Sequence, residues 1–301
     1  MKRVTVLIAI ILLFSACSGQ PLSRQSSEAG EPDVLTTTTI LADIARNIAG
    51  DRLTVEALLP IGSDPHSYQP VPQDATKISR SKVLVINGAD YEHFLESLIE
   101  SADGERALIE ASAGLRLQAD SASEHGVDPH FWLDPNQIMV YVANIRDGLI
   151  EFDPDGVETY QANAQAYMAQ LEELDTWIDK QVAQIEPQRR VLVTNHEAFG
   201  YFADRYGFTV VGAIIPSFSS DSSPSAQQMA ALIEQIKAHN APAIFLDAAD
   251  NPALARQIAA ETGVMVVTDL HLESLTDGAP AATYIEMMKY NVTRIVEALK
   301  K

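Results

Sequence analysis

Three side chains that can bind a transition metal each come just after an apolar, strand-like segment of the sequence: His66, His196 and Asp269. The segments that precede them are residues 55–59, 191–194 and 264–268. Ligands of parallel α/β sheets bind beyond the carboxyl ends of the strands, so these side chains are expected to lie close together. Imidazole nitrogens and carboxylate oxygens are common ligands of divalent transition metals. The pattern therefore indicates a metal site.

A repeated tripeptide adds a fourth candidate. Asp-Pro-His occurs at residues 64–66 and again at 128–130, where it ends in His130. In both copies the proline disfavours a helix at the preceding Asp and stiffens the approach to the His. Each Asp could accept a hydrogen bond from an imidazole or cap a local turn, and the sequence leaves both roles open.

Three imidazoles and one carboxylate can complete a tetrahedron around Zn²⁺, with ligand distances of about 2.0 to 2.2 Å. Nitrogen and oxygen ligands without sulfur also suit Mn²⁺ or Fe²⁺, so the kind of site is clearer than the metal. Two further histidines are possible accessory ligands. His271 lies two residues beyond Asp269, and His125 lies in a polar segment shortly before His130.

The segments that carry these residues alternate between strand-like and helix-like patterns, which predicts parallel sheets covered on both faces by helices. Apolar residues recur every three or four positions from 154 to 185, so this stretch should be one helix roughly 45 Å long. We therefore predict an α/β fold of two Rossmann-like lobes joined by a long helix, with the metal in the cleft between them. The expected boundaries are 33–152 for the first lobe, 153–187 for the linking helix and 188–301 for the second lobe.

The N-terminus has the features of an export signal. Residues 1–17 contain a basic start, an apolar run and the small residues that precede Cys17, the single cysteine of the chain. This pattern is typical of a secretory signal, and residues 14–17 resemble a bacterial lipobox. We expect a lipid on Cys17 that anchors the protein at the outer face of the cytoplasmic membrane or in the periplasm, although Cys17 could instead be discarded with the signal. Residues 18–32, rich in Ser, Gly, Pro and Gln, would form a flexible tether.

The composition narrows the classes of function. A formal net charge of −20 over 301 residues argues against nucleic-acid binding, which needs clustered Lys and Arg. A single cysteine rules out an intramolecular disulfide and a thiolate metal cluster. The acidic balance could steer cations towards the protein, but it is equally typical of a soluble exported protein.

Four motifs identify a family that the chain resembles. They are residues 62–68 (GSDPHSY), 128–135 (DPHFWLDP), 194–202 (TNHEAFGYF) and 268–269 (TD). In order and approximate spacing they are similar to the solute-binding proteins of zinc and manganese ABC importers. The resemblance implies two α/β lobes joined by a long helix, and delivery of the ion to a membrane permease driven by a cytoplasmic ATPase.

The resemblance also implies the ligand set His66, His130, His196 and Asp269. Manganese-type relatives commonly place Glu at the position of His196, so the histidine favours Zn²⁺ as the cargo. Many zinc-type relatives carry a long His-rich loop before the second ligand, where this chain has only His125, and this departure leaves Mn²⁺ or dual use open. We expect a monomer with no enzymatic activity.

Two other functions are compatible with some of these residues. A secreted zinc hydrolase would use fewer protein ligands and an open position for water. The pair His196-Glu197 superficially resembles the metalloprotease helix motif, but position 200 is Gly, so the second His of that motif is missing. A surface adhesin that binds metal only incidentally is the third alternative.

Overall fold

The first lobe is built on a parallel sheet with the strand order β2-β1-β3-β4. The structure is a computed structural model that describes residues 32–116 and 127–300. The strands are β1 (Val34–Thr36), β2 (Val55–Ala57), β3 (Val83–Ile86) and β4 (Ala107–Glu110). The helices between them are α1 (Thr39–Ala49), α2 (Pro72–Arg80) and α3 (Leu95–Ser101). β1 and the first three residues of β3 are fully buried, because helices cover both faces of the sheet.

The second lobe repeats this arrangement with the parallel strand order β6-β5-β7-β8. Its strands are β5 (Val191–Thr194), β6 (Thr209–Ala213), β7 (Ala243–Asp247) and β8 (Met265–Leu270). Its helices are α6 (Gly200–Tyr206), α7 (Ala226–Ala238), α8 (Ala253–Thr262) and α9 (Tyr284–Leu299). β1 and β5 thus occupy the same position, second from one edge, in their two sheets.

Two long helices connect the lobes. α4 (Pro135–Phe152) leads into α5 (Val157–Val182), whose 26 residues span about 39 Å. The buried residues of α5 recur every three or four positions and pack on α1 and α4 on one side and α9 on the other. A short 3-10 turn at Pro154–Gly156 precedes α5, so the regular helix is slightly shorter than predicted.

The predicted fold class is confirmed, since both parallel sheets and the connecting helix are present. One continuous hydrophobic core includes Ile44 of the first lobe, Leu171 of α5 and Phe202 of the second lobe. This continuity explains why residues 32–301 form a single compact unit, and the exact boundaries of the lobes stay a prediction. Within the described residues no helix is long and apolar enough to cross a membrane.

The ends of some elements differ from the sequence-based prediction. β2 ends at Ala57 rather than at residue 59, and β8 continues to Leu270 rather than stopping at residue 268. Asp134 caps the start of α4, because its side chain accepts a hydrogen bond from the Asn136 backbone N–H. The extra length of β8 matters most, because it decides which side chains reach the cleft.

Candidate metal site

His66 lies in the loop between β2 and α2. The Asp64 carboxylate accepts a hydrogen bond of 2.9 Å from the His66 backbone N–H and one of 3.1 Å from Ser67 Oγ. It also accepts a hydrogen bond from the Ser220 hydroxyl of the second lobe. Asp64 therefore shapes the loop that carries His66 and links that loop to the opposite lobe, and its bonding is that of a turn cap.

His130 is completely buried and precedes a 3-10 turn (Phe131–Leu133) at the start of α4. Asp128 Oδ1 accepts a hydrogen bond of 2.9 Å from the His130 backbone N–H and lies 2.8 Å from His130 Nδ1. A carboxylate at this distance holds the proton on Nδ1 and leaves the lone pair of Nε2 free for a metal. Of the two repeated Asp residues, Asp128 is thus the one that orients its imidazole.

His196 comes two residues after β5, at the carboxyl end of the second sheet, and is 2% exposed. Thr194 Oγ1 donates a hydrogen bond of 2.7 Å to the His196 carbonyl, which fixes the turn out of the strand. The three predicted histidines are brought together by this arrangement. His130 Nε2 lies 3.3 Å from His66 Nε2 and 3.2 Å from His196 Nε2.

These spacings suit a shared ion. A tetrahedral zinc ion with Zn–N distances of about 2.0 to 2.1 Å separates its nitrogen ligands by about 3.3 Å. The ring centroids of the three histidines are 5.1 to 5.4 Å apart, so the imidazoles surround one point with nearly threefold spacing. Three ring nitrogens that face each other in a buried cleft are an arrangement that a cation stabilises.

Glu273 supplies the fourth donor. Its Oε1 lies 3.3 Å from His196 Nε2 and 3.6 Å from His130 Nε2. This oxygen is buried without a hydrogen-bond partner among the described residues, whereas Oε2 accepts a 2.6 Å hydrogen bond from the Tyr91 hydroxyl. The ligand atoms of the three histidines and Glu273 all lie within 4.8 Å of one another. A buried acceptor without a partner is costly, and an ion at this point would satisfy it.

The structure does not bring Asp269 to the histidines, which corrects the predicted ligand set. Asp269 lies within β8, and its side chain is 42% exposed. Its carboxylate accepts a hydrogen bond of 2.8 Å from Tyr290 and ones of 3.1 and 3.2 Å from Arg294 of α9. The prediction ended the strand at residue 268, whereas β8 continues through Asp269 to Leu270.

The two possible accessory ligands are His271, which the structure describes, and His125, which it does not. The His271 ring packs against Tyr290, with 5.5 Å between ring centroids, and lies outside the four-residue cluster. The His271 backbone N–H is held by Asn291 Oδ1 at 2.9 Å. His125 and Cys17 lie outside the residues that the structure describes.

The segment of residues 271–275, here called the bridging segment, positions Glu273 between the lobes. Asp247, at the end of β7, accepts hydrogen bonds from the backbone N–H groups of Leu272 at 2.5 Å and Glu273 at 3.4 Å. From the first lobe, Trp132 Nε1 donates to the Leu272 carbonyl at 2.7 Å, and Gly62 N–H donates to Ser274 Oγ at 2.8 Å. The fourth donor is thus held from both sides of the cleft.

Burial and charge set the protonation of the cluster. Burial lowers the pKa of His66 to about 4, so this imidazole is neutral at physiological pH. Burial also lowers the pKa of His196, but the Glu273 carboxylate beside it outweighs this effect and leaves that pKa above its ordinary value. Burial raises the pKa of Glu273, yet the neighbouring imidazoles hold that pKa well below its usual range. The charged forms of His196 and Glu273 thus stabilise each other when no ion is bound.

Comparison with known proteins identifies the family of the chain. The family described as zinc-uptake complex component A, periplasmic (ZnuA), matches residues 34–298. The chain belongs to this family. The resemblance to solute-binding proteins of metal importers that the sequence motifs indicated is thereby confirmed.

Individual members of the family are named for different metals. The chain is 35% identical over 306 residues to the manganese-binding lipoprotein MntA of Halalkalibacterium halodurans, with 100% of each chain covered. It is 31% identical over 299 residues to the iron-binding protein YfeA of Yersinia pestis, covering 98% of this chain and 96% of the relative. The solved periplasmic zinc-binding protein TroA of Treponema pallidum superposes with a TM-score of 0.81 at 30% identity, covering 90% of this chain and 99% of TroA. Family membership therefore leaves the metal of this chain unresolved.

Proposed function

We propose that this protein is the extracytoplasmic receptor of an ABC-type metal importer, and that its cargo is Zn²⁺ bound by His66, His130, His196 and Glu273. One observation carries the proposal: three imidazole nitrogens converge in a buried cleft with a carboxylate oxygen that has no hydrogen-bond partner among the described residues, and their spacing is that of a tetrahedral ligand shell.

The proposed mechanism is capture without chemistry. His66 and His130 belong to the first lobe, His196 belongs to the second, and Glu273 sits on the bridging segment between them. An ion bound by all four side chains stabilises the closed arrangement, because only that arrangement offers the complete shell. The permease and its ATPase would then distinguish the loaded protein from the open one.

The donor set supports a receptor over a hydrolase. Four protein ligands fill a tetrahedral shell, whereas a catalytic zinc needs a position for water. The high burial of His130, His196 and Glu273 also separates the ion from a prospective substrate. A receptor requires only that the ion be held and released.

Mn²⁺ is the second candidate cargo, and the similarity to MntA over the whole chain favours it. The physical argument for Zn²⁺ is the predominance of imidazole, since manganese commonly prefers more oxygen donors in an octahedral shell. In the general affinity order of divalent metals, Zn²⁺ also binds nitrogen-rich sites more tightly than Mn²⁺.

Competition between the two ions tests the proposal. The purified protein is stripped with a chelator and titrated with Zn²⁺ and with Mn²⁺ by calorimetry, each alone and in competition. We expect one equivalent of Zn²⁺ to bind and to displace Mn²⁺. Saturation by Mn²⁺ in the presence of equal Zn²⁺ would replace zinc with manganese as the cargo, and absence of binding by either ion would overturn the receptor assignment.

The location and partners of the protein are part of the same proposal. We propose that Cys17 carries the lipid that keeps the receptor near its permease, and that the receptor acts as a monomer. Metabolic labelling with a radioactive fatty acid checks the anchor. The unaltered protein should be labelled and Cys17→Ser should not, and labelling of both would place the lipid elsewhere.

A further inference from the structure

Tyr91 occupies an unusual position beside the proposed ligands. It is 2% exposed, and its hydroxyl donates the 2.6 Å hydrogen bond to Glu273 Oε2. Its ring meets the His66 ring edge-on at 5.1 Å between centroids and packs against Trp132 at 4.9 Å. One side chain of the first lobe therefore contacts Glu273 and His66, and its ring also meets that of His130 at 6.3 Å between centroids.

The backbone before Tyr91 is strained and firmly held. Gly88, Ala89 and Asp90 all have positive φ values, of 83°, 53° and 56°. Two consecutive residues other than glycine in this region are unfavourable and need support from their surroundings. The buried Glu92 carboxylate provides it, since Glu92 accepts hydrogen bonds of 2.6 Å from the Asn87 backbone N–H and 3.2 Å from that of Gly88. This strained backbone, which Glu92 holds in place, sets the position of the Tyr91 hydroxyl.

The two oxygens of Glu273 are consequently different. Oε2 is occupied by a short hydrogen bond between a hydroxyl and a charged carboxylate, which is a strong kind of hydrogen bond. Oε1 faces the histidines with no partner among the described residues. An ion in the cleft would meet one carboxylate oxygen without a hydrogen bond, and chelation by both oxygens would compete with the Tyr91 hydroxyl for the electron density of Oε2.

We propose that Tyr91 is a positioning residue that makes Glu273 a one-oxygen ligand, limits the shell to four donors and thereby favours Zn²⁺ over Mn²⁺. This inference rests on the proposed function. Zn²⁺ is well satisfied by four tetrahedral donors, whereas Mn²⁺ prefers a larger octahedral shell. A carboxylate that chelates with both oxygens would add a fifth donor and so reduce the advantage of Zn²⁺.

The test compares Tyr91→Phe with Tyr284→Phe as a matched control. Tyr284 is also fully buried, and its hydroxyl donates a 2.7 Å hydrogen bond to the Trp132 carbonyl rather than to a ligand. Each variant is loaded with Co²⁺, whose visible absorption is strong in a tetrahedral shell and weak in larger ones. Each is also titrated with Zn²⁺ and Mn²⁺ to obtain the ratio of the two affinities.

We expect Tyr91→Phe to weaken the Co²⁺ absorption and to reduce the preference for Zn²⁺ over Mn²⁺ by about 10-fold or more, the usual scale for losing a partner of a metal ligand. Tyr284→Phe should leave both measurements unchanged. In a Glu273→Gln background, where an amide cannot chelate with two atoms, adding Tyr91→Phe should no longer change the spectrum. An unchanged spectrum and affinity ratio in Tyr91→Phe would overturn the inference.

A measurement on the unaltered protein keeps the inference testable if Tyr91→Phe does not fold. X-ray absorption of the zinc-loaded protein should give four nitrogen or oxygen neighbours, and five or more neighbours would contradict a one-oxygen Glu273. If the unaltered protein binds neither Zn²⁺ nor Mn²⁺, the proposed function itself fails, which is a different result from binding that is indifferent to Tyr91.

Discussion

Replacing Glu273 and Asp269 one at a time tests which of the two carboxylates is the fourth ligand. Glu273→Ala removes an anionic oxygen that lies 3.3 Å and 3.6 Å from two ligand nitrogens and is shielded from water. Removing one partner of a buried charged contact costs about 3 to 5 kcal/mol. Since about 1.4 kcal/mol corresponds to a tenfold change, the affinity for Zn²⁺ should fall by about 100-fold to several thousand-fold.

Asp269→Ala provides the comparison. Its carboxylate is paired with Arg294, and both side chains are about a third or more exposed. Such surface pairs contribute about 0 to 1 kcal/mol, so the variant should lose little stability. Its affinity for Zn²⁺ should stay within about twofold of the unaltered protein, because no ligand atom moves.

The assay is competition against a chromophoric zinc chelator, with thermal melting to verify that each variant is folded. Glu273→Gln serves as a second variant that keeps the size of the side chain and removes its charge. If Asp269→Ala lowers the affinity as strongly as Glu273→Ala does, the reasoning from the length of β8 is wrong.

Three further predictions concern protons, orientation and stability. The affinity for Zn²⁺ should be highest at a pH above the raised pKa of His196 and should decline as the pH falls through that pKa. His66, with its pKa of about 4, stays neutral over this range. Calorimetry in two buffers of different ionisation heat should therefore detect proton release on binding near neutral pH, and identical heats would contradict it. Asp128→Asn should weaken zinc binding by about 10- to 100-fold, because the imidazole of His130 loses the carboxylate that orients it; an unchanged affinity would remove that role. Zinc at 100 times its dissociation constant should stabilise the fold by about 2.7 kcal/mol, so a chelator should lower the melting temperature, and an unchanged melting temperature would argue against binding to the folded state.

The histidines could be predicted because local sequence determines their placement. The Asp-Pro-His repeats stiffen the approach to His66 and His130 whatever the surrounding fold, and His196 follows a short, strongly apolar strand whose limits are unambiguous. In each case the histidine lies within a few residues of the sequence pattern that positions it. Their meeting in one cleft then follows from two parallel sheets that face each other.

Glu273 could not be found in the same way. β8 ends three residues before it, and the residues between turn into the cleft because of contacts with Asp247 and Trp132 that are distant in sequence. The sequence pattern therefore points to Asp269, which follows Thr268, as the side chain at the strand end. The apolar neighbours Leu272 and Leu275 are the one local sign that Glu273 is buried.

The bridging segment has a consequence for the speed of unloading. Side chains of both lobes hold its backbone by hydrogen bonds, and one hydrophobic core includes residues of both lobes and of α5. A wide swing of one lobe would break that core, but lifting a few residues of this segment would expose the ion at much smaller cost. Dissociation should therefore be slow for the isolated receptor and fast once a membrane partner loosens residues 271–275.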